Sequence, residues 1–288
     1  MKQSNLSNST LILGFFDGIH IGHRKVIESA VNFAHQTGSK TVLLTFPESP
    51  AEYFNGKNEY IYNRNFNYEI IKSLGVDVIN EENFSDLVNI TAEDYLKAII
   101  EKYSPIGIFT GFNHTFGANR QGTPELFKKY EAKYNYKYFC IEPVKKDNAI
   151  VSSTLIKELL KNGEVESANN LLNSNFVLES EVIKGVQRGR ELGFPTANMV
   201  YPDKIIGLPF GVYKVDVLNK TGVMNWGIKP TFNNENPILE VHIPGFNGDL
   251  YGKRLKLKVL KRIRGEKKFN STEDLKSQIH KDIEECLK

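Results

Sequence analysis

A chain of 288 residues with 40% hydrophobic and 25% charged side chains has an ordinary globular composition, which excludes a disordered or fibrous protein and leaves room for two domains, each with its own core. Its net charge of +3 suits anionic small molecules and is too mild for a dedicated nucleic-acid binder. Two cysteines, Cys140 and Cys286, exclude a disulfide framework or a four-cysteine zinc site, and packing is the role expected of both.

The chain opens on MKQSNLSNST, which is polar, and no run anywhere is apolar for a membrane-spanning length, so a cytoplasmic protein with no membrane partner is expected. From Leu11 to about Glu142, short β-rich runs alternate with helical patterns. The runs are LILG (11–14), TVLLTF (41–46), VDVI (76–79), IGIFTG (106–111) and YFCI (138–141). Between them Val26, Ile27, Ala30, Val31 and Ala34 keep helical spacing, as do Leu96, Ile99 and Ile100 behind a T-A-E-D capping box at Thr91 to Asp94. This βαβ order implies a mostly parallel sheet with right-handed crossovers, with the ligand beyond the carboxyl ends of the strands at a switch point. A helical hairpin follows, SSTLIKELLKNGEVESANNLL, broken by Asn162 and Gly163.

After Asn173 the rhythm changes. FVLESEVI, GVYKVDVL, VMNWGI, LEVHI and RLKLKVL are short alternating runs separated by Gly, Pro and Asn, the pattern of an antiparallel barrel or sandwich. In the last run Leu255, Leu257 and Val259 alternate with Arg254, Lys256 and Lys258, which reads more simply as a strand with one solvated basic face than as a nucleic-acid surface. A final helix carries Leu275, Ile279, Ile283 and Leu287 four apart, with Ser271 as its cap. The chain divides near residue 174, and it has no internal repeat.

Three stretches carry chemistry. In GFFDGIHIGH (14–23), Gly14 ends a strand, Asp17 and Gly18 make a turn, and His20 and His23 fall at a helix N-terminus, where unpaired amides and the helix dipole attract phosphate. Gly22 leaves room there for a nucleotide. A surface helix or weak metal binding are the plainer readings of two histidines at this spacing, and no third ligand or Gly-Lys-Ser/Thr loop accompanies them. Ser152, Ser153 and Thr154 open a second helix with Lys157 on its first turn, an anion site or simple capping. In KGVQRGRELGFPTANMV (184–200), Gly185 and Gly189 let the backbone fold over phosphates, Arg188 and Arg190 add charge, and Thr196 and Asn198 offer hard oxygen ligands for Mg²⁺. A glycine-rich basic hairpin would look the same locally.

GFFDGIHIGH, GFNHTFGANRQG (111–122) and VSSTLIKELL together closely resemble the adenylyltransferase half of the bacterial bifunctional riboflavin kinase/FAD synthetases. G-x-x-x-G-R-x-L-G-F-P-T-A-N resembles their flavokinase motif, and PFGVY, NWGIKPTF, LEVHI, DLYGK and RGEKKF follow in family order. The same H-x-G-H letters occur in class I aminoacyl-tRNA synthetases, but no KMSKS-like partner is present. The resemblance spans about residue 11 to residue 284. It implies an N-terminal Rossmann-like nucleotidyltransferase domain with a parallel sheet (1–173) and a C-terminal antiparallel β-barrel closed by a terminal helix (174–288). Their implied activities are adenylylation of FMN to FAD with pyrophosphate release and ATP-dependent phosphorylation of riboflavin to FMN, with small-molecule substrates and Mg²⁺.

In the first domain the resemblance gives catalysis by charge stabilisation to His20 and His23. ATP binding falls to Gly14, Phe15, Phe16, Asp17, Gly22, Asn113, Ser153, Thr154 and Lys157. In the second it gives ATP binding to Gly185, Gly189, Arg190, Thr196 and Asn198, with Mg²⁺ on the last two. Glu240 becomes the general base for the riboflavin 5′-hydroxyl, and Arg264 and Glu266 meet the flavin. The sequence departs from the family at Phe15 (asparagine), Ser49 (histidine), Asn67 (lysine or arginine) and Lys157 (arginine), and lightly at Lys184 and Gly245. Those losses keep two alternatives open: a riboflavin kinase with a degenerate adenylyltransferase half, or a non-catalytic flavin- or nucleotide-sensing protein.

Overall fold

The computed structural model describes residues 8–185, 188–228 and 237–288. It forms two compact units, residues 8–59 with 63–153, and Tyr60–Tyr62 with Thr154–Lys288. In the first, the elements run β1 (Ser9–Leu13), α1 (Ile21–Thr37), β2 (Lys40–Thr45), α2 (Pro50–Asn55), α3 (Arg64–Ser73), β3 (Val78–Glu81), α4 (Phe84–Leu87), α5 (Ala92–Tyr103), β4 (Pro105–Gly111), α6 (Pro124–Tyr134) and β5 (Lys137–Ile141). A two-stranded ribbon, β6 (Lys145–Lys146) and β7 (Ala149–Ile150), leads to α7 (Ser153–Asn162).

The five long strands form one parallel sheet in the order β3-β2-β1-β4-β5. Successive side chains leave a strand on opposite faces, so Leu11, Leu13, Val42, Leu44 and Ile108 pack with α5 and α6, while Ile12, Leu43 and Phe109 pack with α1 and α3. All five residues expected on the inner face of α1 are buried. Thr91 caps α5, its Oγ1 accepting from the Asp94 amide at 3.1 Å, while the Thr91 hydroxyl meets the Asp94 carboxylate at 2.7 Å.

The second unit runs α8 (Val165–Leu172), β8 (Phe176–Ile183), α9 (Arg188–Glu191), β9 (Thr196–Met199), β10 (Gly211–Val217), β11 (Lys220–Ile228), β12 (Pro237–His242), β13 (Arg254–Gly265) and α10 (Thr272–Leu287). Six strands close into an antiparallel barrel, β10-β11-β12-β9-β8-β13. The hairpin of α7 and α8 belongs with this unit: the Asn169 side-chain amide donates to Val259 O at 2.9 Å and accepts from the Phe176 amide at 2.7 Å. The compact division therefore precedes the change of rhythm at 173/174.

Two packing expectations are corrected. Cys286 is buried but Cys140 is exposed, because β5 is an edge strand whose alternation turns Cys140 outward. On α10 the expected stripe fails at its last member: Leu287 is 59% exposed, while Asp282 and Cys286 are buried. Residues four apart drift by about 40° per step on a 3.6-residue helix, so by Leu287 the row has turned off the packed face. Along β13, Leu255, Leu257 and Val259 are buried and Arg254, Lys256 and Lys258 exposed, the alternation expected of a basic solvated face.

Candidate active sites

The first site lies at the carboxyl end of β1, which sits between β2 and β4, where the strand order reverses. His20 is the N-cap of α1, and its Nδ1 accepts the His23 amide at 3.2 Å. That bond places the proton of the neutral imidazole on Nε2, leaving a donor. The two rings stack at 3.7 Å between centroids, and Phe16 meets His23 edge-on at 5.1 Å. Burial lowers His20 to about 4 against a backbone hydrogen bond that raises it. Burial first, then the neighbouring His20, holds His23 well below the usual histidine range. Both are therefore neutral at pH 7, and His23 Nδ1 is buried without a partner.

The first turn of α1 holds no acidic residue to compete for an anion. At Gly22 a Cβ would stand 3.1 Å from the His20 ring, so glycine also makes room for the imidazole. Asn113 is exposed just past β4, and the Ser153 hydroxyl donates to Asp17 O at 2.9 Å. Thr154 and Lys157 follow on α7 within the second unit, where Lys157 Nζ lies 5.8 Å from the Tyr60 ring centre. Phe15 is half-buried beside the buried Phe16. A cavity of about 590 Å³ opens beside Gly14, lined among others by Phe46, Phe54, Phe84, His114 and Phe116. His114 and Phe116 belong to the GFNHTFGANRQG stretch, whereas Phe54 and Phe84 lie in no stretch that the sequence marks, because scattered aromatics carry no spacing that distinguishes a pocket from a core.

The second site is written across the barrel register. Glu240 on β12 pairs with Asn198 on β9 and with Asn225 on β11, and His242 pairs with Thr196. Directly opposed residues share a face, so a carboxylate stands between two amides, with a hydroxyl one pair along. Thr196 Oγ1 reaches Glu240 Oε1 at 3.5 Å, and the buried Asn198 donates to Thr196 O at 3.4 Å. Two cavities meet at Thr196. One, of about 330 Å³, is lined by Glu240, Asn225, Phe194, Arg264 and Ile279 among others; the other, of about 580 Å³, includes Arg190, Phe246 and Tyr251. A Cβ on Gly185 would overlap Asn198 Cγ, and one on Gly189 would stand 2.5 Å from Phe194 O, so the loop lies against the oxygen donors only because both are glycine. The Arg188 side chain and residues 229–232 of NWGIKPTF lie outside the described residues.

Arg264 faces the smaller cavity, yet its guanidinium is engaged. Its Nε and Nη2 donate to Asp282 of α10 at 2.9 and 2.7 Å, and Nη1 to Gly265 O at 2.9 Å, a fork that fastens α10 to β13. Glu266 is exposed and packs where Gly227 has no side chain.

Two family models match the chain in succession. A FAD synthetase model matches residues 2–155 and a riboflavin kinase model residues 172–288. The chain belongs to the bifunctional riboflavin kinase/FMN adenylyltransferase family. Relatives of that name from Buchnera aphidicola subsp. Schizaphis graminum and Bacillus subtilis are 36% and 33% identical, covering 99% and 98% of this chain and 94% and 92% of theirs. A crystal structure from Streptococcus pneumoniae, named as a macrolide-efflux protein, superposes with a TM-score of 0.87 at 31% identity, covering 96% of this chain and 93% of that one.

Within this family frame two of the residues that depart from the pattern have local duties. Ser49 caps α2, accepting from the Glu52 amide at 3.0 Å and from Asn58 at 2.9 Å. Asn67 is 7% exposed and accepts the Gly18 amide at 3.1 Å. Gly185→Ala is expected to lower FMN formation at least about tenfold by forcing the loop off Asn198, with FAD formation from supplied FMN unchanged; product chromatography reads both.

Proposed function

We propose that this chain makes FAD from riboflavin in two ATP-dependent steps, each assigned to one end of the sequence. The kinase reading, carried by the 174–288 region, rests on the Asn198–Glu240–Asn225 row beside two cavities that meet at Thr196. In this reading the larger cavity takes ATP, with Arg190 near its phosphates, and the smaller takes riboflavin. Glu240 accepts the 5′-hydroxyl proton as that oxygen attacks the γ-phosphorus, and ADP leaves. Thr196 and Asn198 fit Mg²⁺ by donor chemistry, a hydroxyl and an amide oxygen facing a carboxylate, with the backbone of Gly185 close enough to enclose them. When bound, the ion neutralises phosphate charge. Arg264 acts on the flavin mainly by holding α10 beside the cavity.

The adenylyltransferase reading, placed in the 1–173 region, rests on the stacked, neutral histidines at the N-terminus of α1. His20 Nε2–H and the free first-turn amides of α1 receive the phosphate charge, and His23 lies against them. An FMN phosphate oxygen attacks the α-phosphorus of ATP, and pyrophosphate leaves. The aromatic cavity beside Gly14 suits the flavin ring, since Phe46, Phe54 and Phe84 offer faces and edges to a planar heterocycle. Two ATP-consuming steps fit a cytoplasmic enzyme, and no described helix is long and apolar enough to cross a membrane. The test is incubation of the purified chain with riboflavin, ATP and Mg²⁺. FAD is expected; FMN alone would leave only the kinase, and neither product would refute both steps.

A further inference from the structure

The peptide group between Asp17 and Gly18 is held at both of its polar ends. Its carbonyl accepts the Ser153 hydroxyl at 2.9 Å, and its N–H donates to Asn67 Oδ1 at 3.1 Å. Asn67 is buried and reaches this peptide from the first turn of α3. The two residues that follow both have left-handed backbones: Gly18 at φ 84° and Ile19 at φ 45°. For a β-branched side chain that conformation is rare and persists only where the surroundings impose it. Ile19 is fully buried, and the next residue is the His20 cap.

Rotating one peptide plane changes the backbone angles on both of its sides. Fixing the plane at 17–18 therefore fixes the entry into Gly18 and Ile19, and with it the point from which His20 caps α1 and stacks on His23. We propose that Asn67 and Ser153 are positioning residues that together clamp this peptide, holding the two histidines in register for adenylyl transfer. The proposal rests on the adenylyltransferase reading. It gives Ser153 a duty other than the ATP contact that the family resemblance implies, and it gives Asn67 a duty where the sequence shows only a missing cation.

The clamp predicts a particular kinetic pattern. Asn67→Leu, similar in size but without an acceptor, is expected to lower kcat for FAD formation from FMN at least about tenfold, since small displacements of catalytic groups are costly, with KM for ATP within about twofold. Ser153→Ala should act in the same way. Because both bonds serve one peptide, the double variant should be little worse than the poorer single one. An ATP contact by Ser153 would instead raise KM, and its effect would multiply with that of Asn67→Leu. Riboflavin phosphorylation by the same preparations uses neither residue and reports that the chain is folded.

Amide hydrogen exchange supplies a readout independent of turnover: protection across residues 14–23 should fall in both variants, Gly18 above all. Unchanged kcat in Asn67→Leu, multiplicative effects in the double variant, or unaltered exchange at Gly18 would each overturn the clamp. A wild-type chain that forms no FAD refutes the adenylyltransferase reading, and the exchange measurement then still decides whether the clamp exists.

Discussion

Glu240→Gln is expected to lower riboflavin phosphorylation by about 10²- to 10⁴-fold in kcat, or roughly 3–5 kcal/mol of transition-state stabilisation, while FAD formation from supplied FMN is untouched. The carboxylate projects from the strand pairing that brings Asn198 to one side and Asn225 to the other. Glutamine keeps the size and an oxygen able to accept from Thr196 Oγ1, so the row and both cavity walls survive. What it loses is the ability to take a proton. Equal loss of both activities would point to a folding defect, and unchanged phosphorylation would remove Glu240 from the role of base. A rise in KM for riboflavin at constant kcat would recast it as a binding residue.

Most of the architecture was legible because the signals were periodic. Five β-rich runs became the five long strands of a parallel sheet, and the apolar spacing from Val26 to Ala34 gave the inner face of α1. Both faces of that sheet are buried, which is why those runs read as nearly continuous apolar stretches. Motif glycines and histidines also stood out, since few alternatives share their spacing. The remainder depended on what the fold juxtaposes. Asn225 is ordinary in sequence and becomes a neighbour of Glu240 only through the β11–β12 register. The ion pair of Arg264 with Asp282 was not legible, because Asp282 is a buried acid that the four-residue stripe on α10 does not reveal. Asn67 and Ser49 looked like losses because sequence comparison counts the charge that is missing, whereas each makes hydrogen bonds of its own in the fold.

Replacing both His20 and His23 with alanine is expected to abolish measurable FAD formation while FMN formation persists, since removing even one preorganised donor to a developing anion typically costs about 10²–10³ in kcat. The proposed role of His20 as a donor stands beside a structural one, because its Nδ1 caps α1. His20→Asn separates them: asparagine is a strong N-cap, so the helix start is kept while the Nε2–H donor is lost. That variant should retain thermal stability and still lose adenylyl transfer; if it instead retains transfer, capping is the residue's whole contribution. The pH dependence has a definite sign. With His20 lowered to about 4 and His23 also lowered, both are neutral in the free protein from pH 6 to 8. Their titration should therefore leave kcat/KM for FAD formation flat across that range, whereas cationic histidines would make it fall as pH rises through about 6.5. The same shifts act on stability. Both histidines take up protons near pH 6.5 in the unfolded chain, whereas in the folded site His20 does so only near pH 4 and burial holds His23 well below the usual range, so the stability contributed by the two neutral rings is complete above pH 6.5 and is lost as pH falls. Acid unfolding of the double alanine variant should accordingly be shallower between pH 6 and pH 4 than that of the wild type, which denaturant titration at each pH would measure.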